Sequence, residues 1–307
     1  MLKNDKNYSF VIPHHNTPEY LKRLIDSIPQ REDIEIIIVD DNSDEDKKAA
    51  VNRPDVKTIF IDKEHTKGAG HARNVGMDNA SGKWLLFADS DDFYKSGFIE
   101  VLDEYKDDDI EMLFFNVETV DNETFTPIKE YRSEFHQRQF REFDGTQESI
   151  DRFLFWGYGP WRKMIKKEFV EKYHFFFEEI PVSNDSFFSL QTSYFVTKWK
   201  KDERILYSLT MNKNSLTYSP VTKKKYASYL YLFPKRRNFF AYIGHADWNK
   251  ESPKGHYSQS CLKYCYKLGK KNLRIGFKAL IYYFAHWYDI EKKSNDYISV
   301  IQKMSNC

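Results

Sequence analysis

Asp89-Ser90-Asp91-Asp92 places three carboxylates within four residues. Charges that close repel one another unless a cation, arginines or water intervene. Magnesium and manganese commonly bind through one or two carboxylates plus substrate phosphates. An Asp-x-Asp at a strand end therefore suits a metal that bridges a diphosphate, whereas a solvated acidic turn is the plainer reading of so short a string. A second acidic pair sits in Asp40-Asp41-Asn42-Ser43. It could accept hydrogen bonds from a ribose hydroxyl or a base N–H, or form an Asx turn or a helix cap. The third group is Lys67-Gly68-Ala69-Gly70-His71-Ala72-Arg73-Asn74. Its glycines allow close backbone approach, and an arginine just inside a helix N-terminus suits phosphate. Gly76 falls too late for a Gly-x-Gly-x-x-Gly fingerprint, and no Gly-Lys-Ser/Thr follows, so neither common nucleotide loop is present.

The elements needed to position these groups are legible. Residues 8–12 read as a short apolar strand stopping at Pro13, followed by Thr17 as N-cap and Pro18 as first helical residue. Leu21, Leu24, Ile25 and Ile28 then form a helical stripe. Residues 34–39 are a β-branched run of the kind buried on both faces of a sheet. Residues 57–61 and 84–88 read as further strands, with a loop and helix over 68–80 between them. This alternation predicts an α/β fold with a mainly parallel sheet, where ligands bind beyond the carboxyl ends of the strands. Both acidic clusters occupy such ends. Residues 112–117 read as a strand, 149–156 as a helix and 157–160 as a loop, but the pattern from 111 to 220 is mixed.

Charge divides the chain. Residues 221–307 hold 17 Lys or Arg against 5 Asp or Glu, leaving 30 basic and 41 acidic residues before them. An acidic body could hold a cation, and a basic tail could meet something anionic. The three cysteines, Cys261, Cys265 and Cys307, form neither a disulfide framework nor a complete zinc set, so idle thiols in a reducing compartment are expected. The N-terminus shows no apolar signal region, and residues 275–288 are too short and too interrupted to span a bilayer. These features predict a cytoplasmic protein, soluble or peripheral at the inner face of the plasma membrane.

Taken together, Val11-Ile12-Pro13-His14-His15-Asn16, Ile36-Ile37-Ile38-Val39-Asp40-Asp41-Asn42-Ser43, Gly70-His71-Ala72-Arg73-Asn74-Val75-Gly76 and Phe87-Ala88-Asp89-Ser90-Asp91-Asp92 occur in order. The series resembles the family 2 inverting glycosyltransferases of bacterial capsule and lipooligosaccharide type. Pro160-Trp161-Arg162-Lys163-Met164-Ile165 resembles their Trp-x-Lys segment, Asn184-Asp185-Ser186 their Glu-Asp motif, and Asn214-Ser215-Leu216-Thr217 their later Ser-x-Thr ending. The likeness covers residues 8–219.

The resemblance implies a GT-A fold with nucleotide-sugar binding in residues 1–110 and acceptor binding in 111–220; residues 221–307 lie beyond it and read, from their own composition and periodicity, as a basic, aromatic-rich helical region. It implies that Pro13, Asn16, Asp40, Asp41, Gly70, Arg73, Asp89 and Ser90 bind the nucleotide sugar. Asp91, with Asp89, would hold Mn2+ or Mg2+. Asp185 would be the catalytic base, and Trp161, Lys163 and Asn184 would lie on the acceptor side. Two positions depart from the pattern: Asn184 stands for the usual Glu, and His14-His15 for Thr-Tyr. The expected reaction moves a sugar from a UDP-linked donor to a glycan or lipid-linked glycan. A sugar nucleotidyltransferase and a non-catalytic binding module on the same fold are the rivals. For the tail, Lys235-Arg236-Arg237 beside Phe239-Phe240 and Lys270-Lys271 near Tyr282-Tyr283 suit an anionic membrane surface. A packed helical domain with a solvated basic face suits them equally. No nucleic-acid module is recognised.

Overall fold

The computed structural model describes residues 6–211, 220–248 and 261–304. The chain divides into two compact units, Met1–Ile180 with Asn184–Lys213, and Pro181–Ser183 with Asn214–Cys307. The first unit opens with β1 (Tyr8–His14), α1 (Pro18–Ser27), β2 (Ile34–Asp41), β3 (Val56–Ile61), α2 (Ala69–Asp78) and β4 (Trp84–Phe87). It continues through β5 (Phe93–Tyr94), α3 (Phe98–Asp103), β6 (Met112–Asp121), α4 (Tyr131–Arg141) and α5 (Gln147–Phe155). A 3-10 turn (Pro160–Arg162), β7 (Lys163–Lys166), α6 (Lys167–Tyr173), α7 (Ser186–Phe195) and β8 (Trp199–Met211) complete it.

One sheet runs in the order β3-β2-β1-β4-β7-β6-β8-β5. The strands β3, β2, β1 and β4 are parallel, as strand–helix alternation requires. Beyond β4 the sheet is mixed. β7 runs antiparallel to both neighbours, β8 parallel to β6, and β5 antiparallel at the edge. The parallel character therefore belongs to the first half, and segments 1–110 and 111–220 share one sheet. This is the expected GT-A architecture.

Local chemistry explains the elements. β1 runs two residues past the expected stop, to His14. Val11 O accepts the Ala88 N–H on the β4 side, so by strand alternation the nitrogen of Pro13 also faces that side. The β4 pairing ends at Val11–Phe87, so the missing N–H of Pro13 costs no ladder bond. In α1 the stripe Leu21, Leu24 and Ile25 is buried and Pro18 begins the helix. Thr17 occupies the N-cap position without capping; its Oγ1 lies 3.0 Å from Ser90 Oγ. Helix α2 lies close on the sheet because Gly76 has no side chain: a Cβ there would sit 2.4 Å from Val11 Cγ1. Below the site, Phe10, Tyr94, Phe98, Leu113 and Tyr207 belong to one buried core. Each large side chain so buried contributes about 1.5–3 kcal/mol.

The second unit contains α8 (Lys223–Tyr242), α9 (Cys261–Lys271), α10 (Leu273–Ala285) and α11 (Trp287–Met304). Its core gathers Tyr226, Leu230, Phe233, Cys261, Cys265, Leu268, Ala279, Tyr283 and Ile290. Of the cluster considered for a membrane surface or for packing, Lys235, Arg236, Phe239 and Phe240 are buried and Arg237 is exposed. They fall where α11 packs along α8: Lys235 Nζ sits 4.2 Å from the Tyr297 ring centre, and Asn238 donates to Ser294 Oγ at 3.0 Å. Cys261 and Cys265 are buried free thiols, and burial pushes them up to about 12 and about 11. Cys307 and the segment Asn214-Ser215-Leu216-Thr217 lie outside the described residues. Among the described residues no helix is long and apolar enough to cross a membrane.

Candidate functional site

The carboxyl ends of β1, β2 and β4 meet the N-termini of α2 and α7. After β2, the two aspartates divide their work. Asp40 is buried and accepts the backbone N–H of Ser43 at 2.9 Å and of Ala49 at 2.8 Å. Both of its oxygens are used in closing the loop that follows β2. Asp41 accepts the Gly68 N–H through Oδ2 at 2.9 Å, at the start of α2. Its Oδ1 is buried with no hydrogen-bond partner in the protein. An unmet buried acceptor costs roughly 1–3 kcal/mol, so a ligand N–H or O–H arriving there would be stabilised.

The residues after β1 lace this loop down. His14 is buried with Nε2 3.1 Å from Lys47 O, and burial lowers its pKa. His15 Nδ1 lies 2.9 Å from Asp41 O. Asn16, in the left-handed region at φ 58, donates its N–H to Ser43 Oγ at 2.9 Å and accepts the Asp44 N–H at 2.8 Å. Pro13 is buried in the strand. Pro13 and Asn16, expected at the nucleotide, are held here by backbone and loop contacts.

The turn after β4 is wired from distant elements. Tyr207, on β8, accepts the Asp89 N–H at 2.9 Å and donates to Asp92 Oδ2 at 3.1 Å. Asp92 Oδ1 accepts the Thr210 N–H at 2.7 Å. Asp92 is thus the buried structural acid of the cluster. The Asp91 carbonyl accepts from Arg23 Nη2 and Thr210 Oγ1, which fixes the turn while the Asp91 residue stays partly exposed. Ser90 meets Thr17, as above. Arg23, Tyr207 and Thr210 carry no sequence signal, since an isolated arginine on a helix and a tyrosine or threonine in a strand are ordinary.

One guanidinium ties the turn after β4 to the segment carrying the expected base. Buried Arg73 donates through Nη2 to Asp89 Oδ1 at 2.5 Å and through Nη1 to Asn184 Oδ1 at 2.7 Å. Charge-assisted bonds of this kind contribute roughly 1.5–3 kcal/mol each. Asn184, expected on the acceptor side, is instead bonded to Arg73; as an amide it makes that bond without adding a second negative charge. Gly70 lets the first turn of α2 abut the same segment, because a Cβ there would lie 2.0 Å from Glu178 O and 3.0 Å from Asn184 Cβ.

Asp185 stands at the N-cap position of α7, but its side chain makes no capping bond. Lys163 is fully buried with Nζ 5.5 Å from the Phe114 ring centre. Burial first, and then Arg162, push its pKa down to about 7 against the opposing pull of Asp185. Arg162 is fully buried among the rings of Phe114, Phe140 and Phe153, and burial lowers it to about 9. Trp161, expected on the acceptor side, is 7% exposed and stacks on Tyr207 with ring centres 6.0 Å apart. Trp156 stacks on Phe135 at 6.4 Å, with Arg152 4.9 Å above it.

Among the described residues no group of three or more His, Cys, Asp or Glu is placed to hold a metal. One or two carboxylates after β4 are enough only when phosphate oxygens complete the shell. Asp89 and Asp91 supply two carboxylates to that turn, and Asp89 is already bonded to Arg73.

Known proteins share this fold. The S. aureus TarS 1–349 structure in complex with UDP-GlcNAc superposes with a TM-score of 0.58 at 14% identity, covering 94% of this chain and 92% of that one. At that identity the likeness establishes the fold. EpsJ of Bacillus subtilis, an uncharacterized glycosyltransferase, is 27% identical over 69% of this chain and 63% of its own length. The GalNAc(5)-diNAcBac-PP-undecaprenol beta-1,3-glucosyltransferase of Campylobacter jejuni is 34% identical over 31% of this chain and 32% of its own. GlyA of Streptococcus pneumoniae is 33% identical over 33% of this chain and 15% of its own. The chain thus spans less than two thirds of these relatives. The description Glycosyl transferase family 2 matches residues 9–173, more than half of the sequence, covering β1, β2, β4 and the turns after them but ending before Asn184, Asp185 and β8. The chain belongs to glycosyl transferase family 2.

Proposed function

We propose that this protein transfers a sugar, with inversion at the anomeric carbon, from a UDP-linked donor to a hydroxyl of a glycan or lipid-linked glycan in bacterial surface polysaccharide synthesis. The observation that carries this reading is the Arg73 bridge, which brings Asp89 of the donor-side turn and Asn184, next to Asp185, onto one guanidinium. Support for the donor comes from the TarS complex with UDP-GlcNAc, and for the acceptor from the relative named for an undecaprenol-linked glycan.

The chain's residues divide the reaction. The buried Oδ1 of Asp41 accepts an N–H or O–H of the nucleoside. Arg73 supplies positive charge where the diphosphate departs, the kind of preorganised electrostatics that dominates such barriers. Mn2+ or Mg2+, held by Asp91 with Asp89, would neutralise further charge on the leaving diphosphate. The acceptor oxygen bonds to the anomeric carbon as the bond to the diphosphate breaks, and Asp185 takes the hydroxyl proton. Removal of that proton by a positioned base contributes roughly 10²–10⁴-fold. Lys163, buried near Asp185, tunes the charge around that base. The reaction belongs at the cytoplasmic face of the membrane, where activated sugars and lipid-linked acceptors meet.

A panel of UDP-, GDP- and dTDP-sugars tests the reading, scored for manganese-dependent hydrolysis and for protection against thermal unfolding. UDP-sugars should score highest. Protection by none of them, with or without manganese, removes the proposal.

A further inference from the structure

The hairpin of α9 and α10 presents a surface that its own core does not use. The two helices meet backbone to backbone at glycines, since a Cβ on Gly276 would lie 2.4 Å from Gly269 Cα. Gly276, Ala279 and Tyr283 form the buried face of α10. Leu273, Phe277, Ile281 and Phe284 follow one another at four-, four- and three-residue steps, which on a helix is a single stripe. All four are exposed, at 80%, 63%, 53% and 61%. Leu262 and Tyr266 are exposed on α9 in the same way, and Trp287 and Tyr288 follow at the start of α11. Folded soluble chains rarely leave so continuous an apolar surface uncovered.

Charge identifies what covers it. Between residues 261 and 288 there are six cations, Lys263, Lys267, Lys270, Lys271, Arg274 and Lys278, and no Asp or Glu. All six are exposed. Arg274 and Lys278 flank the apolar stripe along α10, and Lys270 Nζ lies 5.0 Å from the exposed Tyr266 ring. A second copy meeting this face with its own would set cation against cation, because a two-fold contact pairs a patch with itself. A zwitterionic or neutral partner leaves the charge unused. Exposed Leu, Ile, Phe and Trp bordered by Lys and Arg match the interfacial layer of an anionic bilayer, where rings enter the headgroup region and cations meet lipid phosphates.

We infer that α9 and α10 dock the protein on an anionic lipid surface through Phe277, Ile281 and Phe284, with Lys270, Lys271, Arg274 and Lys278 meeting the headgroups. The expected membrane contact thus lies on the hairpin, and the buried 235–240 cluster has no part in it. The inference does not depend on the donor-site reading, and hydrolysis of a UDP-sugar in the same preparations reports on that reading separately.

Flotation of the full chain with vesicles of phosphatidylcholine alone, or with added phosphatidylglycerol, tests it. The protein should float with the anionic vesicles only, and should be released as salt screens the lysines. Phe277→Ser with Phe284→Ser, and Lys270→Glu with Arg274→Glu, should each lower the bound fraction at least about tenfold. All four positions are exposed, so the thermal midpoint should hold, confirming that each variant folds. Equal recovery with neutral and anionic vesicles overturns the inference, as does recovery that ignores both variants. A mass by light scattering that falls from dimer to monomer in the variants, with vesicle recovery unchanged, assigns the face to a second copy and overturns it too.

Discussion

The edge of the sheet in the first unit and the α9–α10 hairpin in the second both concentrate charge, but they handle it differently. At the sheet edge, charges sit in defined geometry. Asp40 and Asp92 take backbone amides, Arg73 spans Asp89 and Asn184, and the Asp91 carbonyl is held from α1 and β8. On the hairpin, six cations lie exposed on a run of sequence without a single acid. Chemistry at one atom needs groups fixed to within a fraction of an ångström, and folding supplies that through buried hydrogen bonds. Attraction to a broad surface needs only charge and apolar area in the right layer, so long flexible lysines suffice.

The comparison breaks first at Asp185. Asp185→Asn should lower turnover by roughly 10²–10⁴-fold while leaving protection by UDP against melting unchanged; full turnover would dismiss it as the base. Asp91→Ala should cost at least about 10²-fold and abolish the response to added manganese. A variant that still needs manganese as wild type does would move the metal elsewhere.

The paired aspartates after β2 sharpen the contrast within the site. Asp41→Asn should weaken UDP binding about tenfold with little change in melting, because an amide replaces the carboxylate whose Oδ1 awaits a donor. Asp40→Asn should do the reverse, costing about 1–3 kcal/mol of stability and leaving UDP affinity near wild type, since it removes an acceptor from a backbone amide. Calorimetry of both variants decides, and exchanged phenotypes would reverse the assignment.

The smallest effect concerns Lys163. Its folded pKa, about 7, lies below the usual lysine value of ~10.4, so between those pH values the unfolded chain binds the extra proton. Wild-type stability should therefore rise with pH across that window, by at most about 1.4 kcal/mol per unit. Below pH 7 both states are protonated and this dependence vanishes. Lys163→Met should remove the slope, as denaturant unfolding at pH 7, 8 and 9 would show; an unchanged slope would mean that the ammonium keeps its usual pKa.

Much of the frame was legible without coordinates. Apolar runs such as residues 8–12 and 34–39 have no other physical use than a buried strand, and the stripe from Leu21 to Ile25 suits one helix face. The mixed second half of the sheet was not legible, because β7 is four residues long and its pairing with β4 and β6 leaves no periodic mark. For Trp161 and the 235–240 cluster the choice between packing and exposure was not legible for a related reason: an aromatic or a lysine reads the same whether it faces solvent or a neighbouring element.

The sequence by itself determined where ligands could bind, since acidic and glycine-bearing turns had to fall at the carboxyl ends of the parallel strands. It also determined the charge division between body and tail, which is a property of composition. Tertiary structure alone decided which acid of each cluster faces the site. Asp40 and Asp41 are neighbours of one type, and only the position of the Ser43, Ala49 and Gly68 amides separates their roles. It alone brought Arg73 against Asn184, 111 residues away. Hydrogen bonding depends on distance and angle in space, and neither is written in the order of residues.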